Sequence, residues 1–95
     1  AGEGAIETGS LRLDAPFPNP TRGGATIRYS LPAPDHARLD VLDLSGRRIA
    51  VLADSMHSAG THTVPILADT LAAGVYVVHL TSGSASLSRS LTVGR

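Results

Sequence analysis

Three residues in one short stretch carry the side chains of a nucleophilic catalytic site: Asp54, Ser55 and His57. A serine hydrolase needs a hydroxyl nucleophile, a histidine base within hydrogen-bond reach and a carboxylate that orients the base. No G-x-S-x-G elbow surrounds Ser55, and residues so close together in a loop cannot easily make those bonds in sequence. The stretch 54–60 therefore predicts a polar loop, and we expect no enzyme activity from this chain itself.

Paired carboxylates and histidines are the other candidates for chemistry. Asp40 and Asp43 could supply the acid and base of a glycoside hydrolase, but they face opposite sides of one predicted strand. Asp43 is better explained as a turn former. Histidines stand at positions 36, 57, 62 and 79 without a cysteine, and no metal-ligand spacing recurs among them. We therefore expect no metal and no cofactor, and His62, which shares the phase of Val64, is predicted to be a half-buried sandwich residue.

The composition excludes several classes of partner. The 8 basic residues equal the 8 acidic residues, whereas nucleic-acid and anionic-membrane binding both need a clustered basic excess. Aromatic residues make up 3% of the chain, so flat rings for stacking bases or sugars are missing. The chain has no Cys, which excludes a disulfide scaffold, and its apolar runs are too short to cross a membrane. We expect a monomer without a nucleic-acid partner and without membrane insertion.

Short β-strands are predicted to position these residues. Prolines and glycines divide the chain into pieces of about ten residues, which is the spacing of short strands joined by turns. With 95 residues, the chain has room for one core. We predict an all-β, immunoglobulin-like antiparallel sandwich over residues 11–95, after a flexible linker over residues 1–10. The seven predicted strands cover residues 11–13, 25–31, 37–42, 48–52, 61–66, 75–81 and 87–93.

Alternation of apolar and polar residues assigns faces to the strands. Arg38 and Asp40 are predicted to lie in water, because the residues on either side of them are apolar. Pro65 cannot donate a ladder hydrogen bond, so it is predicted to lie in an edge strand or at the end of a strand. The residues predicted to face inward are Ala37, Leu39, Val41, Tyr76, Val78 and Leu80. In the final strand, one phase is predicted to hold Leu87, Arg89, Leu91 and Val93, and the other phase Ser88, Ser90 and Thr92.

The run Asp-Leu-Ser-Gly at residues 43–46 predicts a type I turn, because Asp bonds the backbone ahead of it and Gly accepts a left-handed conformation. The next segment, 48–56, has apolar residues at a helical spacing as well. It follows the turn directly and lacks an N-cap, so we predict a strand there.

Five short motifs occur in a fixed order between positions 16 and 76. They are Pro-Phe-Pro-Asn-Pro at 16–20, Thr-Ile-Arg-Tyr-Ser-Leu-Pro at 26–32, Asp-Leu-Ser-Gly-Arg at 43–47, Ala-Gly-Thr-His at 59–62 and Ala-Gly-Val-Tyr at 73–76. Each is weak alone, but their order and spacing resemble the type A C-terminal sorting domain of the type IX (Por) secretion system. The immunoglobulin-like domain of flagellar hook-capping proteins is related and shares much of the pattern.

The resemblance implies a non-catalytic C-terminal module of a larger secreted bacterial protein, in this family commonly a hydrolase such as a polysaccharide-degrading enzyme. It implies recognition by outer-membrane secretion machinery and attachment to the cell surface of a Gram-negative bacterium. Family members usually carry Lys in the last strand, whereas all 8 basic residues here are Arg. This departure leaves open whether the module is cleaved after export or stays as an anchor.

The terminal strand is the element that we expect the machinery to recognise, since a signal read through strand backbone needs an exposed edge. Deleting residues 91–95 is expected to leave a fused passenger in the periplasm, unless the deletion unfolds the domain. The predicted recognition residues are Leu87, Arg89, Leu91, Val93 and Arg95.

Other residues receive surface or structural roles. Arg47 and Arg48 follow the turn and are candidates for docking to anionic lipopolysaccharide. Tyr76 is predicted to be a core residue, either packed by its ring or with its hydroxyl returning to the backbone. The predicted structural motif residues are Asn19, Pro20, Asp43, Gly46, Gly74 and Tyr76.

Two other functions stay open at this point. A carbohydrate-binding module of a glycoside hydrolase suits the sandwich fold, but the aromatic surface that binds sugars is missing. The other is a structural spacer or interaction domain, as in tandem immunoglobulin-like arrays, and a spacer would be favoured if further domains followed this one.

Overall fold

The computed structural model describes residues 5–8, 11–67, 71–83 and 85–94, which contain eight β-strands. None of these residues belongs to a helix long and apolar enough to cross a membrane. The strands are β1 (Ala5–Thr8), β2 (Leu11–Asp14), β3 (Ala25–Leu31), β4 (Asp35–Leu42), β5 (Arg48–His57), β6 (Gly60–Ile66), β7 (Gly74–Ser82) and β8 (Ala85–Val93).

The strands form two antiparallel sheets that pack face to face. One sheet has the order β1-β2-β3-β6, and the other has the order β5-β4-β7-β8. The predicted all-β sandwich is confirmed, and the seven strands from β2 onward match the predicted number. β1 lies within the segment for which the sequence predicts a linker, and it pairs with β2 from Ala5↔Asp14 to Thr8↔Leu11.

The core lies between the two sheets and takes one phase of each long strand. In β3, every second residue from Ala25 to Leu31 is buried, which confirms the predicted alternation. The predicted inward residues of β4 and β7 are buried as well. Each large apolar side chain in such a core stabilises the fold by roughly 1.5–3 kcal/mol. The largest fully buried apolar side chains are Tyr29, Leu13, Ile27, Leu39, Leu80 and Leu91.

β5 is longer than the sequence predicts. The prediction of a polar loop from residue 54 is wrong for its first four positions, because the strand continues to His57. β4 begins at Asp35 and supplies pairing partners as far as Asp35↔His57. Backbone pairing with a neighbouring strand therefore outweighs the polar character of residues 54–57.

Two β-bulges in β5 explain why its apolar spacing resembles that of a helix. The register with β4 shifts between Leu39 and Asp40 and again between Val41 and Leu42. At each shift β5 has one extra residue, which turns the following side chains to the other face. The strand assignment for this segment is confirmed, although the period of two is broken.

Asp40 departs from its predicted environment. It lies on the outer phase of β4, as predicted, yet the residue is only 4% exposed. Arg38 Nε lies 3.1 Å from both carboxylate oxygens of Asp40, and Arg48 Nε lies 3.5 Å from Oδ2. The prediction that Asp40 lies in water is wrong: the residue is almost excluded from solvent, and two arginines pair with its carboxylate.

Candidate functional site

β8 lies at the edge of its sheet and carries the predicted recognition residues. Its pairing with β7 runs without a register shift along the whole strand. Leu87, Leu91 and Val93 are buried in the core. Arg89 is half-buried on the same phase, and Arg95 lies outside the described residues. In the folded domain, a partner therefore meets the opposite phase of β8 and the outer edge of the strand.

The opposite phase of β8 carries small hydroxyl side chains. Ser86, Ser88 and Ser90 are exposed, and Thr92 is half-buried. These side chains bring no charge and little bulk, so they do not themselves block the approach of a second strand.

Residues 19–21, which we call the clasp, cover the far end of the β8 edge. Thr21 N donates to Thr92 O over 2.9 Å, and Gly94 N donates to Thr21 O over 2.8 Å. These bonds make a parallel bridge between Thr21 and Val93. The clasp therefore occupies the position that a further strand of this sheet would take.

Asn19 extends the clasp by one residue through its side chain. Its Nδ2 donates to Ser90 O over 3.1 Å, and its Oδ1 accepts from Thr92 N over 2.9 Å. The side-chain amide thus replaces a peptide group of a neighbouring strand. Pro18 and Pro20 flank it, both after cis peptide bonds, and neither has an N–H that could take this place.

Two sets of contacts hold the clasp in position: the bonds of Phe17 to β3, just before the clasp, and those of the buried Thr21 within it. Phe17 exchanges two backbone hydrogen bonds with Thr26, of 3.1 and 2.8 Å, before the chain crosses to the second sheet. Thr21 is 1% exposed, and its Oγ1 accepts from Gly24 N and donates to Gly24 O. A Cβ at Gly24 would lie 2.9 Å from the Ile66 carbonyl oxygen, so this close approach requires glycine.

Replacement of Asn19 by Ala is expected to destabilise the domain by about 1–3 kcal/mol, because two backbone groups of β8 lose their partner. Hydrogen exchange at the Thr92 amide should rise together with the fall in stability. Ser90→Ala is the matched control, since the alanine keeps the backbone oxygen that Asn19 binds. Equal exchange at Thr92 in wild type and Asn19→Ala would contradict this role for Asn19.

The turn between β4 and β5 has the predicted form. Gly46 N donates to Asp43 O over 3.0 Å, and Gly46 has a φ of 89°, which favours glycine. Asp43 Oδ1 accepts from Ser45 N at 2.9 Å, Ser45 Oγ at 2.6 Å and Arg47 N at 2.9 Å. The bond from the Ser45 hydroxyl, followed by that from the Arg47 backbone, lowers the pKa of Asp43 below its usual range.

The stability of the domain is expected to fall as Asp43 becomes protonated. The unfolded chain binds this proton more readily than the folded chain, so the contribution is present above pH of about 4 and is lost as the pH falls below it. Denaturant unfolding of wild type and Asp43→Asn between pH 7 and pH 2.5 measures the difference. The difference in unfolding free energy between wild type and Asp43→Asn should become smaller as the pH falls. A difference that stays constant would contradict this source of stability.

Each of the two predicted anion-docking arginines pairs with a different carboxylate. Arg47 Nε lies 3.5 Å from Asp43 Oδ2, and its side chain is 78% exposed. Arg48 Nε lies 3.5 Å from Asp40 Oδ2. The structure therefore places both guanidinium groups on the surface, each with an acidic neighbour that offsets part of its charge.

Tyr76 and Gly74 take the predicted structural places. Gly74 is the first residue of β7, and Tyr76 is 9% exposed two residues later. The Tyr76 hydroxyl donates to Ala72 O over 2.6 Å, so of the two arrangements considered the structure shows the one in which the hydroxyl returns to the backbone.

The residues considered for nucleophilic catalysis are bonded elsewhere. Asp54 Oδ1 lies 2.8 Å from His36 Nε2, so this carboxylate does not orient His57. His57 Nδ1 donates to the backbone oxygen of Ser55 over 2.9 Å, and the Ser55 hydroxyl is not part of that bond. A serine nucleophile, a histidine base and an orienting carboxylate are therefore not connected in the order that catalysis requires.

His57 instead belongs to a cluster with Tyr29 and His62 where β5 crosses to β6. Tyr29 and His57 share a hydrogen bond of 2.7 Å, and the ring centroids of the two histidines lie 4.8 Å apart. His62 is half-buried, as predicted, and its Nε2 donates to Ser58 O over 2.8 Å. Burial raises the pKa of the Tyr29 phenol. The cluster connects the two sheets. Its members lie on β3, β5 and β6, and no pattern of spacing in the sequence predicts that they meet.

Metal binding has no support among the described residues. They contain no group of three or more His, Cys, Asp or Glu side chains that could hold an ion. The cluster of Tyr29, His57 and His62 supplies two histidines, whose ring nitrogens are largely occupied by the bonds given above.

Comparison with known proteins gives one family. The family model described as secretion system C-terminal sorting domain matches residues 15–94, which include both the clasp and the whole of β8. No curated protein matches the chain.

Proposed function

The chain belongs to the family of secretion system C-terminal sorting domains of the type IX pathway, and we propose that it is a non-catalytic module that delivers a larger protein to the bacterial cell surface. Membership implies a secreted protein and an interaction with the secretion machinery. The observation that supports the proposal most is the family match over residues 15–94.

The position of β8 supports recognition of a folded surface. Its inward residues hold the two sheets together, so the machinery meets the serine face and the outer edge of the strand. The clasp keeps the end of this strand in place through bonds from Asn19 and Thr21. A signal of this kind depends on a rigid shape, since the recognised strand is already ordered before binding.

The parent protein in this proposal is a secreted hydrolase of a Gram-negative bacterium, such as a polysaccharide-degrading enzyme, and the module attaches it to the cell surface. Arg47 and Arg48 are the proposed contacts to lipopolysaccharide. Arg47 is the more accessible of the two because most of its side chain is exposed. A phosphate group would have to compete there with Asp43.

A carbohydrate-binding module is less well supported by the positions of the aromatic residues. Tyr29 and Tyr76 are buried in the core, and Phe17 is 76% exposed. Sugar platforms use exposed rings in a row, and these three rings do not form one. Retardation of the domain on soluble glycans during electrophoresis would favour this alternative over delivery.

The test is a fusion of the 95-residue chain to a periplasmic reporter, in a host that has a type IX secretion system. The reporter with the chain should reach the cell surface, and the reporter alone should stay in the periplasm. Circular dichroism of the purified fusion checks that the domain is folded. A folded fusion that stays in the periplasm would contradict the proposal.

A further inference from the structure

The described strands form two sheets with four edges, and three of these edges are poorly suited to accept a partner strand. β5 carries two bulges, which interrupt the row of backbone groups that a partner would need. β6 lies at a sheet edge, as Pro65 predicts, and this proline offers no N–H. β1 is four residues long. Short strands, prolines and bulges are the devices by which proteins prevent pairing at an edge.

The fourth edge, that of β8, is regular. The backbone groups of Ser90, Thr92 and Gly94 point away from β7, since they bond to the clasp. Backbone groups in an antiparallel strand alternate in direction, and β8 has no register shift against β7. The N–H and C=O of Ser86 and of Ser88, together with the N–H of Ser90, therefore point to the outer side of β8, where no described strand pairs.

The clasp ends where this open stretch begins. Asn19 bonds the carbonyl oxygen of Ser90, and no described strand pairs with the outward backbone groups of Ser86 and Ser88. The clasp also shows that this edge takes an added segment, because Thr21 already forms a parallel bridge with Val93. The side chains of Ser86 and Ser88 are small and exposed, so they leave room for a second strand.

We propose that the secretion machinery binds this module by adding an extended segment of its own to the β8 edge at Ser86–Ser90. Such a segment would continue the sheet from the point where the clasp stops. The recognition would depend on backbone hydrogen bonds and would tolerate changes of the serine side chains. This inference rests on the proposed delivery function and deepens it by naming the surface and the kind of partner.

Ser88→Pro removes the outward N–H and leaves the bonds to β7 intact, because the nitrogen of residue 88 points away from that strand. The preceding residue, Leu87, is already extended, as a residue before proline should be. Ser88→Ala is the matched control, since it keeps the N–H. In the reporter fusion of the full chain, we expect Ser88→Pro to lower the surface fraction by roughly tenfold, the effect of losing one strand hydrogen bond.

The outcomes separate this inference from the proposed function. If the wild-type fusion is not exported, the delivery function itself fails. If the wild type and a folded Ser88→Pro are exported equally well, delivery stands and the edge proposal is overturned. Equal loss in Ser88→Ala would also overturn it, because the side chain would then be the recognised group.

A second measurement covers the case in which Ser88→Pro does not fold. Hydrogen exchange of the wild-type chain is compared with and without purified outer-membrane secretion complexes. The amides of Ser88 and Ser90 should exchange fast in the free domain and at least tenfold more slowly in the complex. Binding without added protection at these two amides would overturn the proposal.

Discussion

A chain that lacks residues 91–95 is expected to be unfolded at room temperature. Leu91 is fully buried and Val93 is 2% exposed, so the deletion removes two core side chains from one strand. Loss of a large core side chain costs about 2–5 kcal/mol, and small domains have total stabilities of roughly 5–15 kcal/mol. The deletion also removes Thr92 and Gly94, to which the clasp is bonded.

Circular dichroism and denaturant unfolding of the truncated chain measure this effect directly. Ser90→Ala is the control, because it leaves the core and the clasp in place. A truncated chain that keeps the native spectrum and unfolds cooperatively would contradict the structural role of residues 91–95. If the chain does unfold, failure of a truncated fusion to leave the periplasm says nothing about recognition, and substitutions on the outer edge of β8 become the appropriate test.

Replacement of Tyr76 by Ala is expected to cost about 3–5 kcal/mol, the usual loss for a buried aromatic ring. The ring lies in the core and is paired in register with Leu91 of β8. Tyr76→Phe keeps the ring and removes the hydroxyl that donates to Ala72 O. This second variant should cost about 0.5–1.5 kcal/mol, so the difference between the two separates packing from hydrogen bonding.

Chemical denaturation of the two Tyr76 variants and the wild type provides the comparison. The denaturant concentration at the midpoint should fall in the order wild type, Tyr76→Phe, Tyr76→Ala. The slope of the unfolding free energy against denaturant concentration should not change. A loss below about 1 kcal/mol in Tyr76→Ala would mean that the ring contributes little to the core.

Alternation alone was sufficient to predict the strands whose partners lie on both sides. The bounds of β3 match those predicted, Ala25–Leu31, and the inward phase of β7 is as expected. These strands have one buried face and no irregularity, so a period of two in the sequence describes them well. The turn at residues 43–46 was predictable for a similar reason, because its hydrogen bonds are local.

Long-range pairing explains what alternation could not predict. β5 continues to His57 because β4 extends to Asp35 opposite it, which is a property of the partner strand. Asp40 pairs with Arg48, which lies in the next strand opposite Leu42, two residues along β4 from Asp40. In both cases the contact is made with a neighbouring strand, and the alternation of residues within one strand carries no information about it.

The hydrogen bonds of the clasp could not be predicted from the sequence for the same reason. Asn19 was identifiable as part of a motif, but its bonds reach Ser90 and Thr92 at the other end of the chain. Prolines around it indicated a break between strands and gave no information on the partner. The order of motifs suggested the family, which the family match confirms, whereas the open edge of β8 required the fold.

The most direct test of delivery compares one fusion in two hosts. The wild-type chain is joined to a reporter, and the surface fraction of the reporter is measured in a host with an intact type IX system and in the same host lacking an outer-membrane component of it. We expect reporter at the surface of the first host and in the periplasm of the second. Reporter at the surface of both hosts, or of neither, would contradict the conclusion that this module is a type IX sorting signal.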